Sequence, residues 1–398
     1  FTNMFPIVLQ SHVSDRESLV AMKDRLRAVP DRGLAHMYWN AGATKPRSSV
    51  TFNYMGDLGE ASPSSFGSTV FNQTGVSVAP ENVFLPGLRF NVGVRDAVLQ
   101  VSLSHDDSVI RSAEALELLA RFTHHLRGLA AHLSGQPRRF RTAADFPALE
   151  APTFKDLMTI NALDQARGGK FQEVAGLSPL QEGMLVHSLG QNAEYVVQRT
   201  YRIETPLASR ISESTLVAAA NALAAEHSAL RTNFLVHSLS RPAQVIIRDR
   251  EIPVRWDDWR AEGPEAITMV DEAIRDEVDR GFDVERDPLV RIRLFQTATE
   301  EGERLQLCLT MHHLIADGWS LSTMVNSLVH HCRRLSSGHS ASKVIEEAKQ
   351  RGADSLQLTD HISWIQAQDR AAFAAHWSEA LQGYDADARF LSAATNQP

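Results

Sequence analysis

The decapeptide MHHLIADGWS, residues 311–320, places two histidines side by side and an aspartate four positions after the second. Histidine is the usual proton acceptor of proteins at neutral pH. The amides at the start of a following helix can stabilise negative charge that develops on a carbonyl oxygen. The sequence contains no GxSxG nucleophile elbow, and neither Cys308 nor Cys332 has an obvious base partner. These features favour acyl transfer by direct attack of an incoming amine or hydroxyl.

The two imidazoles are predicted to point to opposite faces of a β-strand, because strand side chains alternate. In RLQLCLTMHH, residues 304–313, His313 continues an apolar row, and His312 belongs to the other face. The apolar row consists of Leu305, Leu307, Leu309 and Met311. Rings that point apart cannot share one metal ion, and no further ligand follows at zinc-site spacing, so we expect no metal site.

The helix that follows the histidines is predicted to begin after a tight turn at Asp317–Gly318, with Ser320 as its N-cap. Asp317 could orient the ring of His313, or it could anchor the loop through a distant cation, since a partly buried carboxylate needs such a partner. We favour anchoring. A purely structural histidine pair that fills the junction between strand and helix remains the alternative.

The elements around this junction predict two α/β units. Residues 1–134 mix short alternating runs with two helical patterns, residues 135–176 read as a linker with one short helix, and residues 177–398 form the second unit. Ser178 and Pro179 mark a helix start, and Ser212 or Ser214 marks another. The pairs His124–His125 and His330–His331 fall on helical patterns and are predicted to be surface or cap residues.

Composition excludes several classes of protein. The formal charge of -8, from 40 basic and 48 acidic residues, gives no general attraction to nucleic acid or anionic lipid. No apolar run approaches the ~20 residues that span a bilayer, and no signal peptide is apparent. The two cysteines have no metal spacing and fit a reducing cytoplasm. Because the chain lacks an initiator Met and opens inside an apolar run, we expect it to be a piece of a longer polypeptide.

Several motifs in order carry a resemblance to a known family. HHLIADG resembles the HHxxxDG signature of the condensation-domain superfamily of nonribosomal peptide synthetases, which is related in fold to chloramphenicol acetyltransferase. Further stretches resemble the other core motifs of the N-terminal lobe: LSPLQEGMLVHSL (177–189), EHSALRTNF (226–234), FDVERDPLVRIRL (282–294) and LTDHISWIQAQDRAAFAAHWSEAL (358–381). The resemblance implies an α/β fold of two chloramphenicol-acetyltransferase-like lobes, each a mixed sheet with flanking helices, joined by the linker.

The first unit is similar to a sister family, the epimerization domains. The stretches FTNMFPIVL (1–9), VPDRGLAHMYW (29–39) and FNYMGDLG (52–59) resemble late core motifs of that family's C-terminal lobe, although His36 departs from a glycine-rich pattern. The resemblance places Asn53 and Tyr54 in the epimerase cleft, and a strand Asn with a packed Tyr is the alternative. The chain would then cross a module junction, and its condensation domain would accept a D-configured donor.

The resemblance also implies roles for the residues of the junction. His313 would be the active-site histidine, acting as a base for the attacking amine or as its positioner. His312 and Asp317 would be scaffold residues, Arg231 would form an ion pair with Asp317, and the N–H of Gly318 would reach the substrate carbonyl region. Ser178, Gln181 and Gly183 are expected to be packing and capping residues, and Trp364 and Trp377 are expected to be core or lobe-packing aromatics.

The function implied is peptide-bond formation between carrier-bound thioesters, in secondary-metabolite or antibiotic biosynthesis. Phosphopantetheine would arrive on carrier-protein domains upstream and downstream, with an adenylation domain downstream, and no cofactor would be bound by these residues themselves. Two alternatives are a non-catalytic docking or scaffold element and epimerization as the main activity. We expect the isolated chain to be inactive.

Overall fold

A computed structural model of the chain contains two compact units, Phe1–Ala144 and Asp145–Pro398, each of which is described by itself. The structure describes residues 5–10, 12, 14–34, 36, 49–57, 87–95, 97–135, 139–188, 194–203, 211–299 and 302–383.

The first unit is a small α/β assembly. Its elements are helix α1 (Asp15–Arg27), strands β1 (Val50–Asp57), β2 (Leu88–Arg95) and β3 (Val98–His105), and helix α2 (Ser112–Ser134), with a short 3-10 turn at Pro30–Gly33. The sheet order is β1-β2-β3, with β1 parallel and β3 antiparallel to β2. Phe90 of β2 is buried, and its ring centroid lies 4.9 Å from that of Phe122 in α2. Helix α2 therefore covers one face of the sheet.

The second unit contains two sheets and most of the helices. Its elements are α3 (Phe154–Ala166), β4 (Phe171–Ala175), α4 (Pro179–Ser188), β5 (Val196–Ile203), α5 (Glu213–Glu226), β6 (Thr232–Leu235), β7 (Ala243–Ile247), β8 (Val254–Trp259), α6 (Glu265–Asp279), β9 (Val290–Thr299), β10 (Gly302–His312), α7 (Gly318–Ser336), α8 (Ala341–Ala353), α9 (Leu358–Gln366) and α10 (Arg370–Ala380). Short 3-10 turns occupy Ser228–Arg231 and Arg260–Glu262. Sheets with flanking helices confirm the predicted α/β class.

The larger sheet has the order β5-β10-β9-β8, and β10 runs antiparallel to both of its neighbours. Strand β8 pairs with β9 in parallel, and the smaller antiparallel sheet has the order β4-β7-β6. Because β10 is an inner strand, both of its backbone edges are hydrogen-bonded. The strand that leads to the histidines is therefore held on both sides.

The predicted alternation of β10 is confirmed. Leu305, Leu307, Leu309 and Met311 pack into the largest core cluster together with side chains of α5 and α7. On the opposite face, Cys308 packs with Phe295 and with Val270 and Ala273 of α6. Each Å² of buried apolar surface contributes about 25 cal/mol of stabilising free energy. Because both faces of β10 are buried, a shift in the register of this strand would be costly.

Two predicted helix starts are confirmed by their hydrogen bonds. The hydroxyl of Ser178 accepts the N–H of Gln181, whose side-chain oxygen accepts the N–H of Ser178 in return, which is a capping box. The hydroxyl of Ser212 accepts the N–H of Thr215 at the start of α5. Each cap satisfies N–H groups that have no partner within the helix.

The stretch predicted as a linker, residues 135–176, carries more structure than expected. It contains α3 and β4, and β4 pairs with β7. Asp156 of α3 accepts the N–H and the hydroxyl of Ser240. Although burial alone would raise the pKa of Asp156, hydrogen bonds from Ser240 and Thr153 lower it to about 2. Residues 154–175 thus belong to the second unit, because a buried carboxylate and a strand ladder tie them to it.

Some surface predictions need correction. His124, His125 and His330 are exposed as expected, but His331 is fully buried and lies 2.8 Å from a carboxylate oxygen of Glu226. Trp364 and Trp377 are 61% and 60% exposed, so neither is a core residue, and packing against another lobe stays a prediction. Among the described residues, no helix combines the length and the apolar character required to cross a membrane.

Candidate active site

The junction between β10 and α7 has a firmly held backbone. Strand β10 ends at His312, whose N–H donates to the carbonyl of Leu289 at 3.0 Å. The N–H of His313 donates to the carbonyl of Tyr195 at 2.8 Å, one residue before β5 begins. Two neighbouring segments therefore fix the consecutive peptide groups that carry the two imidazoles.

His312 is a buried, neutral histidine. Its Nδ1 accepts the N–H of Leu314 at 3.1 Å, so the proton of the neutral ring is on Nε2. Burial, with a smaller contribution from His313, lowers the pKa of His312 to about 4. The ring lies edge-on to Phe282, with 6.2 Å between the ring centroids, and the guanidinium of Arg291 stacks over Phe282 at 3.9 Å. These surroundings assign His312 a role in holding the loop.

His313 differs from its neighbour in exposure and in hydrogen bonding. Its side chain is only partly buried, and among the residues that the structure describes its buried Nδ1 has no hydrogen-bond partner. An unpaired buried polar atom of this kind costs free energy in the folded protein unless water or a ligand pairs with it. The ring is therefore partly accessible, and no described hydrogen bond through Nδ1 fixes its orientation.

Asp317 is the N-cap of α7, in place of the predicted Ser320. Its backbone is extended, with φ at -111° and ψ at -176°, and one carboxylate oxygen accepts both the N–H and the hydroxyl of Ser320, at 2.8 and 2.7 Å. These hydrogen bonds lower the pKa of Asp317. Gly318 is the first residue of α7, and both Asp317 and Gly318 are exposed. The helix therefore starts three residues earlier than expected.

The predicted ion pair between Arg231 and Asp317 is wrong. Arg231 is buried and donates hydrogen bonds to the carbonyls of Ala224 and Ile247, at 2.7 and 2.9 Å, and to Gln172 at 2.8 Å. Burial is the main cause that lowers its pKa, and the acidic groups that oppose this effect lie elsewhere than Asp317. The guanidinium satisfies its donors on backbone oxygens between α5 and β7, so no carboxylate from the active-site loop is required.

Sequence reasoning underrated Gln181, which reaches the active-site loop. Its side-chain NH2 donates to the carbonyl of Leu314 at 2.9 Å, and its amide also faces that of Gln244 at 3.3 Å. Gln244 in turn donates to the carbonyl of Gly176 at 2.7 Å. The signal in the sequence was the capping box itself, since a Gln at the third helical position has its NH2 free to bind elsewhere.

A buried network of ion pairs formed by arginines of β9 was also not predicted from the sequence. Arg291 lies 2.7 Å from Glu277, and Arg293 contacts both Glu277 and Asp257, at 3.8 and 2.5 Å. The two arginines and Asp257 are less than 9% exposed. The signal was the spacing of the arginines in VRIRLF, because two residues apart on a buried strand place both guanidinium groups on one face.

Asn53 and Tyr54 lie on strand β1 of the first unit. Asn53 donates from its side-chain NH2 to the side-chain oxygen of Asn91 across β1 and β2, at 3.2 Å. Tyr54 is 59% exposed. The other epimerase-like stretches fall partly on residues outside the described ranges. Within those ranges no three His, Cys, Asp or Glu side chains converge as a metal site.

Comparison with known proteins identifies the family. The chain is 29% identical to a protein of the linear gramicidin synthase of Brevibacillus parabrevis, over 96% of this chain and 7% of the relative, and 24% identical to bacitracin synthase 3 of Bacillus licheniformis, over 96% and 6%. The chain thus spans less than a tenth of the length of these relatives. The starter condensation domain of rhizomide synthetase, a solved structure, covers 54% of this chain and 49% of its own, at 17% identity and a TM-score of 0.42. The family model named Condensation domain matches residues 171–398, more than half of the chain. The chain therefore belongs to the condensation-domain family of nonribosomal peptide synthetases.

Proposed function

We propose that the second unit forms a peptide bond between an acyl or peptidyl thioester and the amine of a carrier-bound amino acid. The observation that carries this proposal is His313, a partly exposed imidazole whose Nδ1 has no partner among the described residues, on a backbone held by Tyr195 and, through Leu314, by α4. Two relatives are named as a gramicidin synthase and a bacitracin synthase, and the matching family model is that of the condensation domain, which agrees with amide formation. Both thioesters would be carried on phosphopantetheine arms of carrier domains, and an adenylation domain would load the acceptor.

The proposed reaction requires little from the protein beyond placement and one proton acceptor. The amine nitrogen attacks the thioester carbonyl carbon, a C–N bond forms, and the C–S bond breaks to release a thiol. The amine loses one proton: either His313 accepts it and passes it to the leaving sulfur, or His313 holds the amine in line while the leaving thiolate takes the proton directly. The N–H of Gly318 would approach the carbonyl oxygen at the start of α7. Holding the two reactants together can supply much of the barrier reduction.

The test is amide formation by the complete condensation domain, supplied with donor and acceptor on carrier proteins, with wild type, His313→Ala and His313→Gln. We expect His313→Ala to lower kcat about 100-fold or more while the acceptor KM changes little. Glutamine can hold an amine but cannot accept a proton at neutral pH, so activity retained by His313→Gln assigns a positioning role, and its loss assigns a base. Undiminished product from both variants would instead support a non-catalytic docking role.

For the donor, we propose that the first unit is part of an epimerization domain and that the condensation unit accepts a D-configured residue. Support comes from the stretches around Asn53 and Tyr54 and from relatives that align with 96% of this chain, which includes both units. Competition between D- and L-configured peptidyl thioesters in the same assay measures this preference directly. A preference for the L-configured donor would contradict it.

A further inference from the structure

We propose that Gln181 is a positioning residue for His313, acting through the peptide group of Leu314. This inference rests on the proposed role of His313 in peptide-bond formation. Gln181 lies on α4, far from the histidines in sequence, and is 7% exposed. Its side chain donates to the carbonyl of Leu314, the residue that follows His313.

Both backbone polar groups of Leu314, its N–H and its carbonyl, are hydrogen-bonded. The N–H of Leu314 donates to Nδ1 of His312 at 3.1 Å, and its carbonyl accepts the NH2 of Gln181 at 2.9 Å. The next N–H, that of Ile315, donates to the carbonyl of His312 at 3.2 Å. Together with the bond from His313 to Tyr195, these contacts leave the backbone around the imidazole little freedom to rotate. Of these partners, only the side chain of Gln181 comes from a helix, α4.

The glutamine is itself held in a single orientation. Its side-chain oxygen accepts the N–H of Ser178 at 2.9 Å, which directs the NH2 toward Leu314. The amide of Gln244 lies 3.3 Å away and is fixed by its bond to Gly176. A buried amide with all of these partners is rigid, and rigid support of a reactive group is worth more than its hydrogen bonds alone, since a displacement near 1 Å can cost about 100-fold in rate.

The capping role of Gln181 offers a competing, purely structural explanation, and substitutions separate the two. In Gln181→Glu the carboxylate can still accept the N–H of Ser178, but it cannot donate to Leu314. Gln181→Met removes both bonds without adding a buried charge. Ser178→Ala is the matched control, because it removes the other half of the capping box and leaves the contact with Leu314 in place.

The first measurement is kcat and KM for amide formation by the complete domain. We expect Gln181→Glu and Gln181→Met to lower kcat by about tenfold or more, with KM within about twofold of wild type, because binding surfaces are unchanged and only the placement of His313 is lost. Ser178→Ala should lower the urea midpoint and leave kcat unchanged. Equal kcat in wild type and both Gln181 variants would overturn the inference.

The second measurement does not depend on turnover. Imidazole 15N and 13C spectra of the 398-residue chain, with the His313 signals assigned through His313→Ala, should shift or broaden in both Gln181 variants and stay in place in Ser178→Ala. Unchanged His313 signals in Gln181→Met, at a circular dichroism spectrum equal to wild type, would overturn the inference. If wild type makes no amide, the proposed function fails, while these spectra still decide whether Gln181 positions the ring.

Discussion

Lowering the pH should destabilise the second unit through His312, whose pKa is about 4 in the folded protein against 6.5 for an ordinary histidine. Between these two pH values the unfolded chain binds a proton that the folded chain does not. The contribution of His312 to the free energy of unfolding is therefore complete above pH 6.5 and decreases as the pH falls. The difference of 2.5 pKa units corresponds to about 3 kcal/mol in all, of which about 2 kcal/mol is lost by pH 5.

The substitution that isolates this effect is His312→Asn. The side-chain oxygen of asparagine can accept the N–H of Leu314 as Nδ1 does, but asparagine has no titration in this range. Burial also lowers the pKa of His227 and His331, which act in the same direction in both proteins. We therefore expect wild type to lose about 2 kcal/mol more than His312→Asn between pH 7.5 and pH 5.

The assay is urea unfolding at several pH values, followed by tryptophan fluorescence. Every tryptophan except Trp39 belongs to residues 145–398, so the signal reports mainly on the second unit. The urea midpoint of wild type should fall more steeply with decreasing pH than that of the variant. Parallel lines for the two proteins would refute the assignment of His312 as a neutral, buried group.

Four further substitutions test the packing of the second unit by urea unfolding. Asp317→Ala should cost about 1 kcal/mol, the value of an N-cap, and a loss near 4 kcal/mol would instead indicate a buried ion pair. Arg293→Met should cost about 2–3 kcal/mol, which is less than the usual cost of breaking a buried ion pair, because Asp257 keeps its contact with Arg255. An unchanged stability would indicate that the network is exposed to solvent. Gly352→Ala should cost about 1–3 kcal/mol, because the added Cβ would lie 2.5 Å from a carbonyl oxygen at the end of α5. The control Gly183→Ala, whose Cβ would meet nothing within 4 Å, should stabilise its helix by up to about 1 kcal/mol. Equal effects of the two substitutions would contradict the packing.

The sequence was a reliable guide where one period governs a segment. Strand β10 follows strict alternation, and the starts of α4 and α5 carry Ser residues that cap as expected. At α7 the sequence predicted the N-cap at Ser320 and a tight turn at Asp317–Gly318, whereas the extended backbone and the side-chain hydrogen bonds of Asp317 make Asp317 the cap. Both types cap helices well, so local preference alone could not choose.

Long-range polar contacts were the part that sequence patterns could not supply. The ion pair expected for Arg231 fails because a guanidinium can satisfy its donors on carbonyl oxygens, which leave no trace in residue types. His331 had a readable signal, since it lies three residues after the buried Leu328 on the stripe that α7 packs inward. Its partner Glu226 lies on α5, and nothing in either segment indicates that the two helices meet there.

The different environments of His312 and His313 follow from where β10 ends. His312 is the last residue of the strand, so its side chain still obeys the alternation and enters the protein, where burial keeps it neutral and its Nδ1 can accept the N–H of Leu314. His313 is one residue beyond, where the chain has begun to turn toward α7, and its ring reaches the surface with Nδ1 unpaired among the described residues. A shift of one residue would exchange the two environments, and the hydrophobic register of β10 forbids that shift, since every core leucine of the strand would move to the other face. The apolar alternation of the strand and the residue at which the strand ends therefore determine which of the two adjacent imidazoles is partly exposed.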